Sequence, residues 1–231
     1  MRDMKLSISM TDDELRFGWL LLALQILVLP TLLVLINGLL AVPLSNAVLN
    51  FLLFVLEFCL TLAVFHRFLL RSAKRAAEAP FRCLRFAGIG LIFYYLGSFL
   101  CTGLIRAVSP GFLNVNDLSI LSMAQENYAL IVFGTVILVP VAEETLYRGL
   151  IFGSLQKKSR AAAYVLSTLF FGLIHVAGYW DTASPVTLLL CLLQYVPAGL
   201  CLAWAYEKAD TIWTPILMHM AINQFSISLM R

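Results

Sequence analysis

Residues 128–149 read YALIVFGTVILVPVAEETLYRG. An apolar run long enough to enter a bilayer ends there in two adjacent carboxylates, Glu143 and Glu144, and a guanidinium, Arg148. An ionised side chain at the centre of a membrane helix costs about 2.5–3.5 kcal/mol even on permissive scales, so such groups need partners or a wet cavity. Two of the three histidines follow inside further apolar stretches, Phe171-Gly172-Leu173-Ile174-His175 and His219-Met220-Ala221-Ile222-Asn223. A carboxylate pair and two imidazoles on membrane helices are the ingredients of a hydrolytic site.

The surrounding chain is 61% hydrophobic and 13% charged, against roughly 45–50% and 25% in soluble domains. This is the composition of an all-α, polytopic membrane bundle. At about 20 apolar residues per crossing, seven helices are expected, over 17–39, 47–68, 86–105, 128–147, 164–179, 186–206 and 212–229. They form one membrane domain over 1–231, with 17–106 as accessory spans and 128–231 as the catalytic core. Pro30, Pro140 and Pro197 fall inside spans, where proline kinks a helix. The five cysteines, Cys59, Cys83, Cys101, Cys191 and Cys201, are scattered without CxxC spacing and read as small packing residues. Asp12, Asp13 and Glu14 precede the first apolar run, which suits a retained anchor better than a signal peptide.

Basic residues set the orientation. With the N-terminus cytoplasmic, the inner side receives all of the 16 Lys and Arg except Arg106 and Arg231. Its members include Arg2, Lys5 and Arg16, the run Arg67, Arg71, Lys74, Arg75, Arg82 and Arg85, then Arg148, Lys157, Lys158, Arg160 and Lys208. The outer loops 40–46, 107–127 and 180–185 hold none. The net charge of +3 is thereby explained by topology and implies no nucleic acid.

A site needs its members at one depth. If Arg148 snorkels to the inner interface, Glu143 lies about 7 Å deep and His219 about 12 Å deep. His175 matches them only if its helix enters at Tyr164, for a depth of about 16 Å rather than the 21 Å from Ala161. Residues 149–160 are therefore expected to be a partly interfacial connector. Glu144 and Arg148, at i and i+4, share a face and suit a structural ion pair. Glu143 shares a face with Tyr147 and is left to the cavity, while His219 and Asn223 are one turn apart and can bind one water or carbonyl together.

These positions suit peptide hydrolysis, with Glu143 as general base and with His175, His219 and Asn223 available to hold water, protonate the leaving amine or stabilise an oxyanion. No cofactor is expected on that reading. The rival is a catalytic zinc on Glu143, His175 and His219, although an HExxH signature is absent. Ser226, a heptad beyond His219, is a weak nucleophile candidate.

Taken together, the EExxxR motif (Glu143 to Arg148), the FxxxH motif (Phe171 to His175) and the HxxxN motif (His219 to Asn223) resemble the CPBP family of intramembrane proteases, also called Abi or CAAX-protease-like. The resemblance covers 128 to the C-terminus. It implies a glutamate-dependent endopeptidase in which Glu143 and His175 activate water and His219 with Asn223 forms the oxyanion site, supported by Glu144 and Arg148. The substrate would be a membrane-associated peptide or protein cut near the cytoplasmic face, with the lipid bilayer as the other partner and no oligomeric state implied. Loops this short resemble a compact bacterial member in the inner (plasma) membrane, which argues against prenylated substrates.

Other residues admit plainer readings. Phe171 is packing that orients its helix, and His66 is interfacial. Glu57, about 15 Å into the second span, stays protonated, bonds a neighbouring helix or lines the substrate entrance. Residues 117–121 start a short amphipathic helix. Two alternatives to the enzyme stand: a non-catalytic membrane scaffold or bacteriocin-immunity protein, and an ion-coupled transporter relaying through Glu57, Glu143 and Glu144, the latter lacking the internal repeat common in transporters.

Overall fold

The computed structural model describes residues 6–229, so Arg2, Lys5 and Arg231 of the charge pattern lie outside the described residues. Every regular element in that range is helical. In chain order we name α1 (Asp12–Leu27), α2 (Leu29–Gly38), α3 (Asn46–Glu78), α4 (Pro80–Val108), α5 (Val115–Glu126), α6 (Tyr128–Gln156), α7 (Arg160–Val176), α8 (Pro185–Ala209) and α9 (Trp213–Leu229). Five of them, α3, α4, α6, α7 and α8, are long and apolar enough to cross a membrane, or six spans if α1 and α2 count as one. The remaining expected span, α9, is an apolar helix of 17 residues. The molecule is an integral membrane helical bundle.

Local chemistry sets the helix ends. Thr11 and Glu14 form a reciprocal capping box at the start of α1, where Asp12, Asp13 and Glu14 also complement the helix dipole. The first expected span is broken. Pro30 sits in the first turn of α2, and the two helices meet at 45° around Val28. At 33 residues, α3 is about 50 Å long and overshoots the roughly 30 Å hydrocarbon layer, carrying Arg71, Lys74 and Arg75 beyond it.

The central helix is α6: 72% of its most apolar window is buried, against at most 33% in the other spans. It runs two turns past Arg148 to Gln156, and the turn to α7 is confined to 157–159. This corrects the expected interfacial connector at 149–160. Leu150, Ile151 and Phe152 are apolar and fully buried, and Gly149 lets Met10 and Phe68 approach the backbone so closely that a Cβ would stand 2.8 Å from Met10 Cε. Packing on the N-terminal helices thus holds as helix a stretch that looked like an exit from the membrane.

The basic end of the bundle is tied by charge-assisted bonds. Arg160 grips Glu207 of α8 through Nε and Nη2, both at 2.7 Å, with Tyr164 donating to the same carboxylate at 2.9 Å. Asp210 ends α8 in the left-handed conformation (φ 60°) and accepts from Ser7 N at 2.8 Å and Arg75 Nε at 3.1 Å. Arg82 donates twice to the Lys208 carbonyl.

Candidate active site

The chemistry-bearing turn lies inside α6, where the backbone departs from the regular α pattern. Wide π turns occupy Gly134–Leu138 and Thr145–Phe152, on either side of the segment that carries Pro140, Glu143 and Glu144. Such turns recur at functional sites. In the first of them the Val139 N–H bonds to Gly134 O, so Thr135 O loses its usual donor four residues on. The donor five residues on would be residue 140, a proline without an N–H. The side chain of Asn223 on α9 supplies the missing bond, Nδ2 donating to Thr135 O at 2.8 Å.

Glu144 and Arg148 form an i,i+4 pair at 2.8 Å with both side chains fully buried. The arginine does not reach the interface, which corrects its expected snorkelling and removes it from the surface charges that could orient the chain. It is neutralised from within: Nη1 donates to Glu144 Oε1, Nη2 to Gly199 O at 3.3 Å, and the guanidinium lies 4.3 Å from the centre of the Phe171 ring. Phe171 in turn meets Tyr147, His175 and His219 at 5.8, 4.8 and 5.7 Å between ring centres, so its packing role extends to both imidazoles.

Glu144 has a second partner that spacing did not reveal. His219 Nδ1 stands 2.8 Å from the same Oε1. A carboxylate oxygen accepts, so Nδ1 carries the proton and Nε2 is turned the other way, 4.0 Å from Glu143 Oε2. That separation is beyond a direct hydrogen bond. Glu143 Oε2 is buried and has no hydrogen-bond partner among the described residues.

His175 bonds its own helix, Nδ1–H donating to Phe171 O at 2.7 Å, which leaves the lone pair on Nε2. Its ring lies 4.3 Å from that of Tyr195 at 30°, and Asn116 in the first turn of α5 donates to the Tyr195 hydroxyl at 3.1 Å. Thus Glu143, Glu144, Arg148 and His219 form one group, while His175 and Asn223 are anchored separately. The four candidates Glu143, His175, His219 and Asn223 nevertheless line one cavity of about 1010 Å³. Glu143 and His175 lie on equal arms of the α6–α7 hairpin, 13 residues before Gln156 and 15 after Arg160, or about 20 and 22 Å from its turn.

The same cavity takes in Glu57, Asp117 and Ser226. Glu57 on α3 is buried, faces the amide of Gln25 on α1, and is near enough to Glu143 for the two carboxylates to feel each other's charge. Its lone position in an apolar span was the signal for it. Asp117, on α5 outside the spans, is pushed up to about 6 by burial; α5 itself was foreseen, its place in the cavity wall was not. Nothing in the sequence marked Tyr195 or Asn116. Among the described residues no three His, Cys, Asp or Glu side chains form a metal-binding group, so Glu143, His175 and His219 are not assembled as a zinc site in this conformation. His66 is exposed on α3 and lies outside the cavity.

Residues 125–225 match the Rce1-like family, described as type II CAAX prenyl endopeptidase Rce1-like. The chain is 29% identical over 113 residues to the "Putative membrane peptidase YdiL" of Bacillus subtilis (strain 168), a stretch covering 48% of this chain and 41% of that protein. It is 30% identical over 89 residues to the "UPF0177 protein YxdF" of Lactococcus lactis subsp. lactis (strain IL1403), covering 38% and 44%. The matched stretch thus spans about two-fifths of the length of these relatives. No solved structure matches the chain. The resemblance drawn from the three motifs is borne out over the segment that carries them.

Proposed function

We propose, from the match of residues 125–225 to the Rce1-like family of CAAX-type endopeptidases, that the chain hydrolyses a peptide bond of a membrane-associated protein or peptide near the cytoplasmic face. In this reading a water held between Glu143 Oε2 and His219 Nε2 gives its proton to Glu143 as its oxygen attacks the carbonyl carbon. Glu144, fixed by Arg148, orients the His219 ring and stabilises it when charged, as a carboxylate does in other carboxylate–histidine pairs. Glu143 then returns that proton to the leaving amine, directly or relayed through the Nε2 lone pair of His175, and the second N–H of Asn223 is left to stabilise the oxyanion. The geometry favours His219 over His175 as the immediate partner of Glu143.

One observation carries this reading: a buried carboxylate oxygen without a hydrogen bond faces an imidazole 4.0 Å away whose far nitrogen a second carboxylate holds, at the wall of a cavity. Purified protein in detergent, assayed against a peptide library with and without chelator, tests it. Cleavage that survives chelation and disappears in Glu143→Gln is expected. Full activity in Glu143→Gln would overturn the base assignment, and loss of activity on chelation would favour the zinc alternative.

The scaffold or immunity reading draws support from the same bonds, because Glu144–His219 and Asn223–Thr135 also fasten α9 to α6. It predicts that a cellular phenotype survives both Glu143→Gln and His175→Ala.

A further inference from the structure

The cavity around Glu143 carries three carboxylates, on Glu57, Asp117 and Glu143, and among the described residues no lysine or arginine lines it. The one guanidinium close by, Arg148, is bound to Glu144 and Gly199 O and is fully buried behind the wall. Glu57 comes from the middle of α3 with 9% of its surface exposed, and no ion pair involves it among the described residues. Glu143 is 8% exposed and its Oε2 lacks a hydrogen-bond partner there. The rest of the polar lining includes the uncharged amides of Gln25, Asn50, Asn114 and Gln194 and the imidazoles of His175 and His219, the latter already bonded through Nδ1 to Glu144.

Two carboxylates that feel each other's charge away from bulk water do not both ionise unless something positive joins them. A buried charge without a partner is strongly disfavoured, whereas a cation entering this cavity meets carboxylates already in place. An anion entering it meets three carboxylates and, among the described residues, no lysine or arginine. At about 1010 Å³ the cavity is at the upper end of ligand clefts, about 300–1,000 Å³, room enough for an extended peptide segment beside the reacting groups.

We infer that the cavity selects a peptide segment with a lysine or arginine side chain next to the scissile bond, that Glu57 is the counter-charge that receives it, and that a free C-terminal carboxylate close to the cut is excluded. This rests on the peptidase reading and deepens it by naming the substrate's charge. A bond from the basic side chain to Glu57 leaves Glu143 for the water, so recognition and chemistry fall to different carboxylates on different helices.

The test uses wild-type protein in detergent and a cleaved library peptide remade in matched forms. The residues flanking the scissile bond are lysine, norleucine or glutamate, and the C-terminus three residues beyond is amidated or free. Lysine is expected to exceed norleucine by about tenfold or more in kcat/KM, the scale of one charge-assisted hydrogen bond, and glutamate and the free acid are expected to be the slow forms. In Glu57→Gln the lysine-to-norleucine ratio should fall to about one; a ratio that persists there overturns the role of Glu57. Should that variant not fold, the wild-type panel decides alone. Equal rates for lysine and norleucine, or faster cleavage of the free acid, overturn the inference and leave the peptidase reading standing. Cleavage of no peptide at all overturns both.

Discussion

Arg148 has no route to water, so its charge is balanced entirely within the protein, and the balance is shared with the histidine nearest the proposed base. Glu144 Oε1 receives both Arg148 Nη1 and His219 Nδ1 at 2.8 Å. Removing one member of a buried pair leaves the other uncompensated and costs about 3–5 kcal/mol, whereas removing both costs much less. Arg148→Met should therefore be strongly destabilising, and Glu144→Gln/Arg148→Met should lose less stability than the two single variants added together. Unfolding curves of the four proteins in one detergent measure this. Strictly additive losses would mean that the pair seen at 2.8 Å contributes no coupling. The i,i+4 spacing made this pair legible in the sequence, but His219 as its third member was not, because no local rule connects positions 75 residues apart.

At the scale of elements, the first wide turn of α6, Gly134–Leu138, is coupled to one proline and to the side chain that compensates for it. Pro140 cannot donate to the Thr135 carbonyl, and Asn223 does so from α9. Asn223→Ala should leave that carbonyl unsatisfied, at a cost of about 1–3 kcal/mol. Pro140→Ala restores an N–H within reach, so Pro140→Ala/Asn223→Ala should regain most of the loss. Thermal unfolding checks the stability. The cleavage rate of the double variant separates the two roles of Asn223: a stable but slow protein assigns it to the chemistry, and a stable, fully active one leaves it only the bond between helices. Sequence length and apolarity marked α6 correctly as a span, but not its end. Glu143, Glu144 and Arg148 look like the edge of a hydrophobic run, yet Leu150, Ile151 and Phe152 follow and are fully buried. Charge reads as interface only when no partner is foreseen, and here the partners come from α8 and α9.

Across the whole molecule, the site is assembled where the α6–α7 hairpin meets α3, α9 and the short α5, which closes part of the cavity wall through Asn114 and Asp117. Asn114 caps α5, accepting from Asn116 N at 2.9 Å, and donates to Gln194 of α8 at 2.9 Å, so α5 is held to the bundle by a few polar bonds. Burial pushes Asp117 up to about 6 from about 3.9 in an unfolded chain. The fold therefore holds this proton more tightly than the unfolded chain does. The associated stabilisation is complete below about pH 4 and is lost as the pH rises through about 6. Amide exchange in Val115–Glu126, corrected for intrinsic rates, should accordingly be better protected at pH 5 than at pH 7.5, while α6 shows no such change. Asp117→Asn, which keeps the shape and removes the titration, should abolish the difference. Equal protection at both pH values in the wild type would show that the wall formed by α5 does not loosen when Asp117 loses its proton.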